Sequence, residues 1–159
     1  EKEEVDLYEL SREIISRLSM QASMKHVHVS LSGEPVTYVG IRQILDEMIY
    51  NICENAIKYN HTNGNVTVSA VRMKNTVVLA VADTGNGIEE SFREQIFEPF
   101  FRVDKSRSRE LGGVGLGLAM VREVVRVHDG TIEVYTGKHG GTTFEVKMSI
   151  ERLTIKSQV

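Results

Sequence analysis

The chain has 159 residues, of which 41% are hydrophobic and 26% are charged, as expected for one soluble globular domain. Its net charge of −3 argues against a dedicated nucleic-acid-binding protein, and no apolar run approaches the roughly 18 residues of a membrane span. The single cysteine, Cys53, excludes an internal disulfide and a cysteine-based zinc cluster, and it fits a reducing cytoplasm. The residues around Cys53 favour a packing role, with a reactive thiol as the alternative.

The first forty residues contain a predicted helix followed by two predicted strands. Apolar residues recur with helical spacing from Val5 to about Ala22. Residues 25–31 alternate between polar and apolar side chains, which is typical of a strand. We expect residues 34–39 to form its short partner strand, with Ser32-Gly33 as the turn.

Residues 40–60 predict a half-buried helix, because apolar side chains recur at intervals of three and four. Asn51, Asn55 and Lys58 share that spacing and lie within roughly 60° of one another at the rim of the apolar stripe. Carboxamide oxygens suit a hard cation, and an ammonium suits phosphate. Taken alone, this row also fits a solvated polar edge.

The second half of the chain alternates strands, a long loop and a helix. The long loop, 97–115, contains phenylalanines, four basic residues and closing glycines, and such loops are usually functional or disordered. We predict strands over 66–73, 77–82, 131–135 and 142–150, a short helix over 89–96 and an amphipathic helix over 116–127. These elements indicate one layer of helices on one sheet, an α/β two-layer sandwich.

The segment Asp83-Thr84-Gly85-Asn86-Gly87-Ile88 directly follows a buried strand. A carboxylate in that position is unfavourable unless it accepts hydrogen bonds, and the exocyclic amine of adenine is one suitable donor. Glycines let the backbone approach a flat base. An ordinary Asp/Gly turn is the alternative. A calcium-binding EF-hand is disfavoured, because glycines occupy positions that need oxygen ligands.

The segment 112–118, GGVGLGL, leads into the last predicted helix. Free N–H groups at a helix N-terminus, together with the helix dipole, favour an anion such as a triphosphate. Glycine strings also serve as flexible linkers. The segment lacks the GK[ST] ending of a P-loop and the preceding strand of a dinucleotide-binding fold, so both of those sites are disfavoured.

Taken in order, four segments resemble motifs of the catalytic ATP-binding domain of sensor histidine kinases. NICENAIKYN resembles the N box, DTGNGI the G1 box, FEPFFRVDKSRS the F box and GGVGLGLAMV the G2 box. The resemblance runs from about Val5 to Met148 and extends to the larger group that includes gyrase, the mismatch-repair ATPase and heat-shock chaperones. It implies a Bergerat-type ATP-binding fold, with a mixed sheet, about three helices and a long ATP lid.

The resemblance also implies roles for individual residues. Asn55 would bind Mg²⁺ with Asn51 alongside, and Lys58 would hold a phosphate. Arg102 and Lys105 would reach the γ-phosphate or a partner surface when the lid closes. Phe97, Phe100 and Phe101 are predicted to anchor the loop. The remaining implied ATP contacts are Tyr59, Asp83, Gly85, Gly87, Ile88, Gly113, Val114, Gly115, Leu116, Gly117, Leu118 and Thr143.

The chain departs from the family pattern in two respects. Val114 stands where the family often has threonine, so one hydroxyl contact with phosphate is lost. The family's phosphoacceptor histidine, on a separate helical hairpin and followed by an acidic residue, has no counterpart here. His128 precedes an aspartate, but it falls at a predicted helix end and is interpreted as structural.

We therefore expect residues 1–159 to form one catalytic domain, cut just after the hairpin, which transfers the γ-phosphoryl group of ATP to a histidine on the dimerisation domain of the same parent. This domain would act in the cytoplasm without contact with nucleic acid or membrane, and a response regulator would act downstream. The sequence leaves open whether the parent protein is membrane-anchored. The alternatives are a related ATPase, which would normally have glutamate at Asn51, an anti-sigma-type serine kinase, and a non-catalytic docking module.

Overall fold

The computed structural model describes residues 1–99, 101, 117–138 and 140–150. Within these ranges the helices are α1 (Leu7–Arg17), α2 (Ser19–Lys25), α3 (Arg42–Lys58) and α4 (Gly117–Val127). The strands are β1 (Glu3–Asp6), β2 (His28–Gly33), β3 (Thr37–Gly40), β4 (Asn65–Met73), β5 (Thr76–Asp83), β6 (Thr131–Thr136) and β7 (Thr142–Ser149). No helix in the described ranges is long and apolar enough to cross a bilayer.

The main sheet has five strands in the order β2-β4-β5-β7-β6. Only the β2–β4 pairing is parallel, so the sheet is mixed. Along β4, Val66, Val68 and Ala70 are buried while Thr67 is exposed, which means that one face of the sheet is covered. Helices α1 and α3 pack on β4, and α4 packs on α3 and β6. This arrangement confirms the predicted two-layer α/β sandwich with a mixed sheet.

The predicted pairing of the first two strands is wrong. β3 pairs antiparallel with β1 in a separate two-stranded sheet, whereas β2 pairs with β4. β2 ends at Gly33, where φ is +114° and a Cβ would lie 2.1 Å from the carbonyl oxygen of Ala70. The chain therefore packs closely against β4 and leaves the main sheet instead of folding back beside β2.

Two predicted helices also differ in the structure. Val5 belongs to β1, and α1 begins only at Leu7 because the Asp6 carboxylate accepts the N–H groups of Tyr8 and Glu9. The rest of the first predicted helix is divided at Leu18 into α1 and α2. The predicted helix over 89–96 consists of two short 3₁₀ turns, Glu90–Phe92 and Gln95–Phe97.

Cys53 is a packing residue. It lies on the core face of α3 with 1% of its surface exposed. Burial raises the pKa of its thiol to about 12, so almost none of it is thiolate at neutral pH.

The structural interpretation of His128 is confirmed. Its side chain is 5% exposed, and its Nδ1 lies 2.8 Å from the carbonyl oxygen of Val124. Nε2 accepts the N–H of Ile41, the residue that precedes α3, at 3.2 Å. These partners fit the neutral tautomer with the proton on Nδ1. His128 thus joins the end of α4 to the start of α3.

Replacing His128 by alanine is expected to lower the free energy of unfolding by about 2–3 kcal/mol, because the N–H of Ile41 loses its acceptor and a cavity remains. Chemical denaturation would measure the change. His28→Ala is the matched control, because this histidine is exposed on β2. Equal stability of the two variants would contradict the role assigned to His128.

Candidate functional site

The candidate site lies where the C-terminal half of α3, the end of β5 and the turn before β7 come together. The turn Asp83–Gly85 at the end of β5 packs against the end of α3, since a Cβ built on Gly85 would lie 3.0 Å from the carbonyl oxygen of Tyr59. The turn before β7 is held to the same place by Thr142, whose N–H donates to the Asp83 carboxylate at 3.2 Å. The start of α4 closes the other end of the site, next to Asn51.

Asp83 is the half-buried carboxylate at the centre of this site. Its Oδ1 accepts the N–H of Gly85 at 2.8 Å and that of Thr142 at 3.2 Å. Burial raises the pKa of the carboxyl above its ordinary value, while these two backbone donors and the charge of His61 oppose the shift. Among the described residues both hydrogen bonds go to Oδ1, which leaves Oδ2 as an acceptor for a ligand.

Gly141 permits the close approach that holds Asp83. Its φ is +71°, and a Cβ there would lie 1.9 Å from the carbonyl oxygen of Asp83. Any side chain at this position would push the turn away from β5 and remove the Thr142 donor. Gly141 and Thr142 were not among the site residues predicted from the sequence. The glycine pair Gly140-Gly141 was the available signal, but Asp83, against which Gly141 packs, is distant in sequence.

The polar row on α3 has the geometry that its spacing predicts. Asn51, Asn55 and Lys58 are all half-buried, whereas their helix neighbours Ile52 and Ala56 lie in the core. Asn51 donates through Nδ2 to the carbonyl oxygen of Glu47 at 2.7 Å. Within the described part of the chain, the side chains of Asn55 and Lys58 have no hydrogen-bond or ion-pair partner, so both are available to a ligand.

Asn51 also touches the first residue of α4. A Cβ built on Gly117 would lie 2.8 Å from Asn51 Oδ1. The polar edge of α3 and the N-terminus of α4 are therefore adjacent, and free N–H groups at a helix N-terminus attract anions. Leu118, the second residue of α4, is half-buried beside the core.

The other predicted residues surround Asp83. Tyr59 directly follows α3, and its carbonyl oxygen faces Gly85. Thr143 is buried on β7 opposite Ala82, the residue before Asp83. Ile88 is half-buried against the core, and the backbone of Gly87 lies beside that of Gly141.

Several predicted residues lie outside the described ranges: Phe100, Arg102, Lys105, Gly113, Val114, Gly115 and Leu116. Of the loop aromatics, Phe97 is buried and packs edge-on against Phe144, with ring centroids 6.3 Å apart. Phe101 packs against Phe92 at 5.8 Å. These contacts agree with the prediction that Phe97 and Phe101 are loop anchors.

The family to which the chain belongs follows from comparison with known proteins. Residues 40–152 match the family described as histidine kinase-, DNA gyrase B-, and HSP90-like ATPase, and the chain belongs to that family. It is therefore an ATP-binding domain.

Its relatives include sensor histidine kinases. The sensor-like histidine kinase SenX3 of Mycolicibacterium smegmatis is 35% identical over 146 residues, covering 91% of this chain and 38% of SenX3. Among solved structures, the mycobacterial sensor histidine kinase MprB superposes with a TM-score of 0.82 at 27% identity, covering 94% of this chain and 97% of that one. Full-length ShkA in complex with AMPPNP gives 0.81 at 27% identity, covering 92% of this chain and 30% of ShkA. The chain thus spans little more than a third of SenX3.

The substitution Asp83→Asn tests whether the negative charge of Asp83 stabilises the folded domain or is needed only for ligand binding. Since its pKa is raised, the folded protein binds this proton more tightly than the unfolded chain does. The free energy of unfolding therefore falls as pH rises from the ordinary aspartate range through the raised pKa of Asp83. At neutral pH the ionised Asp83 destabilises the folded state by the full amount of this effect. Asparagine keeps the Oδ1 acceptor without the charge.

We expect the unliganded Asp83→Asn domain to melt at the wild-type temperature or up to about 4 °C higher at pH 7.5. The difference should shrink as pH approaches about 4. Thermal unfolding at both pH values measures it. A variant that melts well below wild type at pH 7.5 would mean that the charge stabilises the fold.

Proposed function

We propose that this chain is the catalytic domain of a sensor histidine kinase and that it transfers the γ-phosphoryl group of ATP to a histidine on a separate domain. The main support for the proposal is the Asp83 carboxylate. The N–H groups of Gly85 and Thr142 orient it through Oδ1, and no described residue donates to Oδ2. The sensor histidine kinases among its relatives support the same assignment.

At the adenine end, Oδ2 of Asp83 would accept the exocyclic amine of the base. A charged acceptor in a half-buried position makes a stronger hydrogen bond than an exposed one, and it discriminates against bases that lack the donor. Gly85, Gly87 and Ile88 would contact the plane of the base, and Tyr59 its edge or the ribose. Thr143 would support this wall from β7.

At the phosphate end, the start of α4 and the preceding glycines would bind the phosphates through backbone N–H groups. Gly113, Val114, Gly115 and Leu116 would supply these groups together with Gly117 and Leu118. The Lys58 ammonium would add a positive charge. Its proximity to Asn51 and Asn55 on one helix edge supports a single phosphate site.

The residues present fit a Mg²⁺ ion only when ATP is bound. Within the described ranges, no group of three or more acidic, histidine or cysteine side chains is arranged to hold a metal. The Asn55 carboxamide would be a protein ligand of the ion, with Asn51 beside it, and phosphate and water oxygens would complete the shell. The bound ion would supply charge neutralisation during phosphoryl transfer.

Transfer itself needs positioning and charge neutralisation more than covalent help from the protein. A ring nitrogen of the acceptor histidine would attack the γ-phosphorus, and the bond to the β-phosphate oxygen would break to release ADP. Arg102 and Lys105 would neutralise the γ-phosphate. Asn51 offers no carboxylate base to activate water, which favours transfer over hydrolysis.

The proposed partners follow from this reaction. The phosphoacceptor histidine would lie on the dimerisation domain of the same parent protein, and a response regulator would receive the phosphoryl group next. The domain would operate in the cytoplasm, where ATP is available.

Incubation of the domain with γ-labelled ATP, Mg²⁺ and the histidine-bearing domain of its parent is expected to label that histidine. Asp83→Ala should weaken ATP binding at least tenfold, as expected for losing a hydrogen bond to a charged group, and should reduce labelling to a similar extent at ATP concentrations below the wild-type Kd. Asn55→Ala should remove mainly the Mg²⁺ dependence of binding, because it removes the proposed protein ligand of the ion. Calorimetric titration of ATP with and without Mg²⁺ measures both effects.

The outcomes separate the proposed function from its alternatives. ATP binding without phosphohistidine at saturating nucleotide would favour a docking module. Sustained ATP hydrolysis by the isolated domain, lost on replacement of Asn51, would favour an ATPase. His28→Ala serves as the surface control in both assays, because His28 is exposed on β2.

A further inference from the structure

The loop that follows α3, residues 60–65, is bonded to the Asp83–Gly85 turn. Asn60 is 1% exposed, and its Nδ2 donates to the carbonyl oxygen of Asn65 at 3.1 Å. The N–H of Thr84 donates to the same carbonyl oxygen at 3.1 Å. In return, the Thr84 hydroxyl accepts the N–H of Asn65 at 2.8 Å. The loop therefore forms a fixed support behind the turn.

His61, a titratable residue of this loop, contacts the Asp83–Gly85 turn through its side chain. Its Nε2 lies 2.7 Å from the carbonyl oxygen of Thr84, so this nitrogen carries a proton and donates it. Nδ1 lies 3.4 Å from the carbonyl oxygen of Thr62, within the loop itself. The ring is exposed to solvent, so the contact adds little to global stability.

The Thr84 carbonyl belongs to the same peptide unit as the Gly85 N–H. A peptide unit is planar, so fixing its carbonyl also fixes the direction of its N–H. The Gly85 N–H is one of the two donors to Asp83 Oδ1, at 2.8 Å. The imidazole of His61 and the carboxylate of Asp83 are thus bonded to opposite ends of one rigid unit.

We propose that His61 is a positioning residue for the nucleotide site: its Nε2–H···O bond to Thr84 holds the Thr84–Gly85 peptide plane in the orientation that directs the Asp83 carboxylate towards the purine. Without this bond the plane can rotate, because a carbonyl at an exposed turn is readily hydrated. The Gly85 donor and the carboxylate orientation would then vary together. A charged imidazole at this position also opposes the burial effect on the pKa of Asp83, in line with this placement.

This inference rests on the proposed function, since it assumes that Asp83 binds the purine. His61→Ala is expected to weaken ATP binding about three- to tenfold, as for the loss of one hydrogen bond. The same variant should raise the hydrogen-exchange rate of the Gly85 amide several-fold in the unliganded domain, a readout that a role elsewhere in the fold would not change. The melting temperature should stay within about 2 °C of wild type, as for a surface substitution.

His61→Gln and His28→Ala complete the experiment. Glutamine retains an N–H donor and should recover most of the ATP affinity and of the Gly85 protection. His28→Ala removes an exposed histidine from β2 and should change neither. Calorimetry and amide exchange by NMR spectroscopy are applied to all four proteins.

Wild-type ATP affinity in His61→Ala, unchanged Gly85 exchange, or a glutamine variant as weak as alanine would each overturn the inference. Results that contradict the proposed function differ from these. They would be no ATP binding by the wild type, or unchanged binding in Asp83→Ala, whatever happens at His61.

Discussion

The site depends on how a carboxylate at the end of a buried strand is compensated. Moving an ionised aspartate out of water is unfavourable unless donors replace the lost hydration. For Asp83 the donors are two backbone N–H groups from segments far apart in sequence, Gly85 and Thr142. The carboxylate is therefore oriented only when the turn before β7 lies against the end of β5. Gly141 makes that approach possible.

Helix α3 sets the distance between the two ends of the site. Its core face, which includes Ile52 and Ala56, fixes the helix against the sheet. The same packing places Asn51 beside the start of α4 and Tyr59 beside the turn after β5. One rigid helix therefore carries both the phosphate-side and the base-side residues, so the distance between them varies little.

Local patterns predicted the elements that local forces determine. The apolar period of α3, the alternation in β4 and the buried run in β5 were sufficient to predict those elements within one or two residues of their observed ends. The two-layer sandwich followed from the predicted helices and strands, and the mixed sheet from the family resemblance. The roles of the individual site residues stay predictions until ligand binding is measured.

What the sequence did not predict depends on contacts distant in the chain. The pairing of β1 with β3 joins segments more than thirty residues apart, and no local pattern distinguishes it from a hairpin with β2. The positions of Gly141 and Thr142 against Asp83 are likewise set by the docking of a distant turn. His61 reads as an ordinary loop residue, and its contact with Thr84 exists only because α3 ends beside β5.

Asp83 is proposed to accept a hydrogen bond from the exocyclic amine of adenine, and a second nucleotide tests this contact directly. Inosine triphosphate has the same phosphates and ribose as ATP, but it carries a carbonyl acceptor in place of that amine donor and a proton on N1. We predict that the wild-type domain binds ATP at least tenfold more tightly than inosine triphosphate, because a buried acceptor left without its donor is unfavourable. Equal affinities for the two nucleotides would contradict this role of Asp83.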